Sequence, residues 1–228
     1  MTELITYLGD ENLKRDFLME LGKHEAADAI MKGTYGRLNG VFRGCAIGCA
    51  LNSLNTLHGK PPLHQTDNHA RMPIELGWPL WLAYADDTIF ENLPDDLSKT
   101  WPRRLAEAVP VGVAVPDTVL ASLLRWMLIG DRHGVVHATN DHEVKDIVRT
   151  MGALFDRAIA GEVVPDVEWD EAARDARAAW AAWAARAAWA AWAARAAWDG
   201  FYPALSVELL RLLAALGPAI LPVDGNEG

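Results

Sequence analysis

The chain has only two cysteines, Cys45 and Cys49, among 228 residues. A cysteine-built structural zinc site needs a third or fourth thiol, which is missing. Both are read as buried, inert thiols, and with no export signal they place the protein in a reducing cytoplasm. No basic N-terminal region leads into an apolar signal segment, and no uninterrupted apolar run reaches membrane-spanning length. Positive charge is in deficit as well. Lys and Arg number 21 against 31 Asp and Glu, giving a net charge of -10 and an isoelectric point near 5.1. That balance excludes general affinity for DNA or RNA. The chain also lacks a Walker loop, a nucleophile elbow, an HExxH pair and a dinucleotide fingerprint.

What remains is an ordinary soluble composition, 51% hydrophobic and 23% charged, long enough for one domain with a substantial core. The distinctive feature lies near the C-terminus. Two copies of Arg-Ala-Ala-Trp-Ala-Ala-Trp-Ala-Ala run from Arg177 to Ala194, and Arg195-Ala-Ala-Trp198 opens a third. Ala is the best helix former, and no Gly, Pro or β-branched residue interrupts the stretch. The pattern predicts a helix from about residue 167 to 199, beginning after Pro165 and stopping at Asp199-Gly200, a left-handed cap. Its first turns carry Glu171 and Asp175, and Asp170 is placed to pair with Arg174.

A spacing of three on a helix of 3.6 residues per turn drifts by about 60° per step. Trp180, Trp183 and Trp198 therefore fall on one face, Trp189 and Trp192 on the opposite one, and the Arg residues along the seams. A helix apolar on two faces is predicted to be a buried central rod. Buried Arg needs a carboxylate of the same chain or an anionic ligand, and each guanidinium has an indole to stack on.

Elsewhere the signals are mostly helical. Asp10 caps a helix to about Leu21, interrupted near Gly22, and Glu25 to Met31 reads as a further turn or two. A loop over 34–40 precedes a helix from about Val41 to Leu57. Pro73 and Pro79 open two helical pieces, with further helices near 95–108, 116–129, 140–159 and 205–216. Val109–Val115 and Val135–His137 are the candidate strands. The fold class expected is all-α: one helical bundle over residues 1–221 around the central Ala/Trp/Arg helix, with a loose acidic tail at 222–228.

Several groups could carry chemistry. Gly40, Gly44, Gly48 and Asn52 recur every four residues, a stripe suited to close helix packing or to a ligand beside Arg43 and Asn52. Asp86, Asp87 and Glu91 sit on one predicted helix, where Asp87 and Glu91 share a face. With His69 they could hold a divalent metal or supply acid–base chemistry; alternatively, Asp86 or Asp87 pairs with the Arg seam. His58, His64 and His69 lie in one loop and His133, His137 and His142 in another, read as surface or capping residues.

Three stretches occur together: Asn39-Gly-Val-Phe-Arg-Gly-Cys-Ala-Ile-Gly-Cys49, the segment from Glu75 to Pro94 containing Ile89-Phe-Glu91, and the Xaa-Ala-Ala repeat. In combination they resemble a family of uncharacterised bacteriophage and bacterial proteins with a Gly-Cys helix, an Ile-Phe-Glu helix and a C-terminal Ala-rich repeat. That resemblance spans most of the chain and carries over no catalytic residue. A phage setting implies a host cytoplasm and, by analogy, counteraction of host defence through capture of nucleotide signals.

The leading expectation is thus a non-catalytic binding protein for a small anionic ligand such as a nucleotide, with neither metal nor cofactor and with a homo-oligomer left open. Arg43, Asn52, Arg177, Arg186 and Arg195 supply polar contacts, and Trp180, Trp183, Trp189 and Trp192 supply stacking. The alternatives are a metal-dependent hydrolase using His69, Asp86, Asp87 and Glu91, and a structural or protein-binding module with every Arg paired internally.

Overall fold

The computed structural model describes residues 3–34, 36–38, 42–63, 68–187 and 191–217, without the side chains of 37–38, 179–187 and 191–199. The described residues are mostly helical, as expected for an all-α chain. Their contacts group into two compact units, Met1–Val115 with Leu213–Gly228, and Pro116–Leu212. No shift in composition marks Val115–Pro116, so the sequence offers one domain where the contacts define two units.

In the first unit, α1 (Glu11–Ala26) opens on the expected Asp10 cap, whose carboxylate accepts from the Asn12 N–H at 2.8 Å. It passes through Gly22 without a break, five residues beyond the expected end. Ten consecutive residues of α2 (Ala46–Leu57), from Ala46 to Asn55, are buried. This apolar, small-residue helix is the one α1, α3 (Arg71–Leu76), α4 (Leu80–Asn92) and α6 (Trp101–Ala108) all pack against. Burying each of Leu51 and Leu54 contributes roughly 1.5–3 kcal/mol. Here, then, the central buried helix is α2, and it starts at Ala46 instead of Val41.

The residues ahead of α2 are extended. β1 (Arg37–Leu38) and β2 (Phe42–Arg43) pair antiparallel, and Gly44 bridges to Ile30. Gly44 therefore lies outside the helix, and the expected helical stripe reduces to Gly48 and Asn52; Gly40 lies outside the described residues. The 95–108 segment forms two helices, α5 (Asp95–Ser98) and α6. Val109–Val115 is not a strand. Its backbone bonds to Thr6, whose N–H donates to the Val113 carbonyl at 3.0 Å and whose carbonyl accepts from Gly112 N–H at 3.0 Å. Tyr7, Phe17 and Trp78 meet edge-on beneath this seam.

The second unit packs α7 (Asp117–Ile129) on α8 (His142–Ile159), and α8 on α9 (Asp166–Ala187). Val135–His137 forms a short 3-10 turn in place of the expected strand. Leu154, Val164 and Ala172 make a small core, flanked by Met151, Ala158 and Trp169. Arg157 fastens the α8–α9 turn by binding both Glu162 and Glu168.

The C-terminal helix departs from expectation at its stop. The helix α10 (Ala191–Ala214) runs through Gly200 and carries Pro203 inside it, so Asp199-Gly200 is no stop. A proline there forfeits one helical bond, and the Ser206 hydroxyl occupies the Pro203 carbonyl at 2.7 Å. Over residues 166–178, ahead of most of the repeat, α9 buries one stripe only. Ala172 is buried and Trp169, Ala173 and Ala176 are half-buried, whereas Asp170, Arg174, Asp175 and Arg177 are exposed. The two Trp faces expected of residues 180–198 lie outside the described side chains. Arg174 lies 3.9 Å from Glu171 rather than pairing with Asp170. The tail at 222–228 lies outside the described residues. Among the described residues no helix is long and apolar enough to cross a membrane.

Candidate functional site

On α4 the inward stripe of Leu82, Ala83, Asp86, Ile89 and Phe90 is buried, the spacing of a helix with one face in a core. Asp86 therefore points inward. Its Oδ1 accepts from the Trp101 indole N–H at 2.8 Å. Burial first, then the neighbouring Asp87 charge, push its carboxyl up to about 8 against the opposing Trp101 bond. Burial thus favours the neutral form of this core acid.

Asp87 and Glu91 lie one turn apart on the flank of that stripe. Cys45 meets them there as the N-cap of α2, with its sulfur accepting from the Gly48 N–H at 3.4 Å. One donor atom from each of Cys45, Asp87 and Glu91 falls within 4.8 Å of the others. The Glu91 carboxylate also accepts from the Gly33 N–H at 3.0 and 3.1 Å, which fixes its position. His69 is 4% exposed, and its Nε2 stands 3.4 Å from Asp87 Oδ2 while its ring stacks on Tyr84 at 4.6 Å.

Among the described residues the charges that raise the Cys45 thiol are acidic: Asp87, Asp86 and Glu91. Burial, backed by these charges, raises the thiol to about 12. The nearby Lys32 is directed elsewhere, to the Leu93 carbonyl and to Asp95 at 3.0 Å. A cation among sulfur and two carboxylates would relieve this concentration of negative charge and displace the thiol proton. The donor set of one soft sulfur and hard oxygens, with an imidazole behind Asp87, suits Zn²⁺ or a neighbouring divalent transition ion.

Sequence reasoning grouped His69, Asp86, Asp87 and Glu91. The structure keeps His69, Asp87 and Glu91 together, turns Asp86 to Trp101 and adds Cys45. The expected pairing of Asp86 or Asp87 with Arg186 or Arg195 falls outside the described side chains. The burial of both cysteines is as expected, and burial holds the Cys49 thiol well above its usual range. His69 is a core residue rather than a surface one. His58 pairs with Glu75 at 3.2 Å, and His133 stacks on Trp126 at 6.3 Å.

Of the residues expected to hold an anion, the side chains of Arg43, Asn52 and Arg177 are described. Arg43 is exposed on β2. Asn52 is buried and engaged, its Oδ1 accepting from the Leu63 N–H at 3.0 Å and its Nδ2 lying 3.4 Å from His24 Nε2. Arg177 is exposed and belongs to the second unit. Trp180, Trp183, Arg186, Trp189, Trp192 and Arg195, together with His64, lie outside the described side chains.

The second unit has a cavity of about 350 Å³ where α7, the 3-10 turn and α8 meet. It is lined by Ile129, Asp131, Val136, His137, Lys145 and Arg149. Sequence reading missed it because α7 and the turn supply its floor from residues that carry no motif.

No protein family, no curated protein and no solved structure matches this chain.

Proposed function

We propose that the protein is a metal-dependent hydrolase whose ion is held by Cys45, Asp87 and Glu91. The observation that carries this reading is the convergence of three ligand-type atoms within 4.8 Å. Cys45 comes from the cap of one helix, and Asp87 and Glu91 from adjacent turns of another. Three protein donors on a four-coordinate ion leave one position for water, the ligand count of catalytic zinc sites. An ion bound there lowers the pKa of that water and supplies the nucleophile. The Asp87 side chain is 20% exposed, which gives solvent a route to the cluster. His69 orients Asp87 from behind, as outer partners of ligating carboxylates do. Asp86 is outside the ligand set in this reading; its part is to hold α4 against Trp101.

Cobalt(II) tests the proposal directly. Chelator-treated protein titrated with Co²⁺ is expected to develop a sulfur-to-metal charge-transfer band at one equivalent. Cys45→Ser abolishes that band, and Asp87→Asn or Glu91→Gln weakens binding. The Zn²⁺-loaded protein is then assayed for release of p-nitrophenol from p-nitrophenyl phosphate and p-nitrophenyl acetate. A chain that takes up no Co²⁺ or Zn²⁺, or a Cys45→Ser variant that keeps the full spectrum, defeats the metal site. Uptake without turnover of either ester defeats the hydrolase and leaves a metal-binding protein.

A further inference from the structure

The cavity between α7 and α8 combines features that the metal cluster does not share. Lys145 and Arg149 are four residues apart on α8, so both cations project from one face of the helix. Both line the cavity, with Ile129 and Val136 as apolar floor, His137 beside them and Asp131 as the acidic lining residue. Arg149 also pairs with Asp146 at 3.0 Å, but its side chain is 58% exposed. An exposed pair of this kind is weak and readily exchanged for a better anion. Its volume, about 350 Å³, lies within the roughly 300–1,000 Å³ of small-molecule sites.

The backbone around the cavity is tied by local contacts. The Gly134 N–H donates to the Gly130 carbonyl at 3.0 Å, and the His137 N–H to the Gly134 carbonyl at 2.9 Å. A Cβ on Gly134 would lie 2.6 Å from the Gly130 nitrogen, so the turn is closed on itself by backbone contact. At Gly152 an added Cβ would stand 2.8 Å from Ile129 Cδ1, which shows how closely α8 braces the floor. A site already in shape loses less freedom when its ligand arrives.

We propose that this cavity binds a small anionic metabolite: a phosphate or carboxylate group seated between Lys145 and Arg149, an apolar body over Ile129 and Val136, and a hydroxyl or amine donating to Asp131. Two cations in a fork match a multi-oxygen anion through charge-assisted hydrogen bonds. Asp131 would repel a ligand that is anionic at both ends and favours one that ends in a donor. A phosphomonoester with free hydroxyls fits these demands.

Adenosine 5′-monophosphate is the probe, titrated into the full-length, chelator-treated protein and followed by amide chemical shifts. Chelation separates this test from the metal centre, whose failure would leave it untouched. Saturable shifts confined to amides of residues 129–149 are expected, with no response to adenosine. Lys145→Gln and Arg149→Gln each weaken binding by about 10-fold, the worth of one charge-assisted contact. Asp131→Asn weakens AMP but not inorganic phosphate. Equal binding of adenosine and AMP would overturn the proposal, as would an unchanged affinity in the Lys145→Gln/Arg149→Gln double variant with a wild-type circular dichroism spectrum. So would the absence of saturable shifts with both AMP and phosphate.

Discussion

Asp86 and Asp87 are adjacent in sequence and opposite in circumstance. One is sealed in the core against the Trp101 indole, and the other stands at the rim with Cys45 and Glu91. A turn of about 100° per residue is enough to separate a structural acid from a ligand-type acid. Removing the indole donor leaves the Asp86 carboxyl without its side-chain partner and opens space beside it. Trp101→Phe is therefore expected to lower unfolding free energy by about 2–4 kcal/mol, measured by urea denaturation, with Co²⁺ uptake retained. An Asp86→Asn variant that remains folded but loses Co²⁺ uptake would place Asp86 among the ligands.

Glu75 ties stability to pH on the acid side. Burial alone would raise the Glu75 carboxyl, yet the Arg71 hydrogen bond and charge outweigh it and hold Glu75 below its ordinary range. Arg71 bonds Glu75 at 2.6 Å and, through its other nitrogen, Asn55 at 2.8 Å. A depressed acid contributes stability that is fully present above its unfolded pKa of 4.5 and is lost as pH falls through the lower folded value. Glu75→Gln is expected to be less stable than wild type at pH 7, the difference narrowing as the pH is taken below 4.5. Urea midpoints recorded across pH 3–7 check this, and parallel curves would refute it.

Among the elements, α3 ends at Gly77, whose φ of +63° is the left-handed cap conformation. A Cβ there would sit 1.9 Å from the Ile5 carbonyl oxygen, a backbone atom that cannot step aside. Gly77→Ala should cost about 3 kcal/mol or more, well above the ordinary ~1 kcal/mol of a point substitution. Asp10→Ala removes only the cap of α1 and should cost about 1 kcal/mol. Thermal melts of the two variants are expected to differ clearly in that order.

The same contrast explains what the sequence made legible. Caps and periodicity are local, so Asp10, the starts of α4, α7 and α8, and the shared face of Asp87 and Glu91 could be read from neighbouring residues. Gly22, Gly200 and Pro203 are local breakers that the surrounding helices override. Cys45 joins Asp87 and Glu91 through the packing of α2 on α4, across more than forty residues, and no local pattern reports that approach. The exposed face at the start of α9 is, by contrast, legible locally. Its opening turns carry Asp170, Glu171, Arg174 and Asp175, and their polarity sets burial there, while the Xaa-Ala-Ala periodicity begins only at Arg177.

Across the whole molecule, burial is unevenly shared. In α2 ten of twelve residues are buried, whereas α8 buries three of eighteen: Val148, Gly152 and Leu154. Hydrophobic burial is the main favourable term in folding, and segments with few buried apolar contacts open at lower free energy. The first unit should therefore hold the most protected amides of the chain and the second should open before it. Hydrogen exchange followed by mass spectrometry is expected to show α2 and α4 exchanging last, with α8 and α9 orders of magnitude faster under the same conditions. Because Cys45, Asp87 and Glu91 lie in the protected unit, Zn²⁺ binding to the native state should slow exchange in α2 and α4 further, in proportion to RT ln(1 + [Zn²⁺]/Kd). AMP bound at Lys145 and Arg149 would instead slow α7 and α8. Uniform protection by either ligand, or a most-protected segment in α8, would contradict the assignment of the two sites to two separately stabilised units.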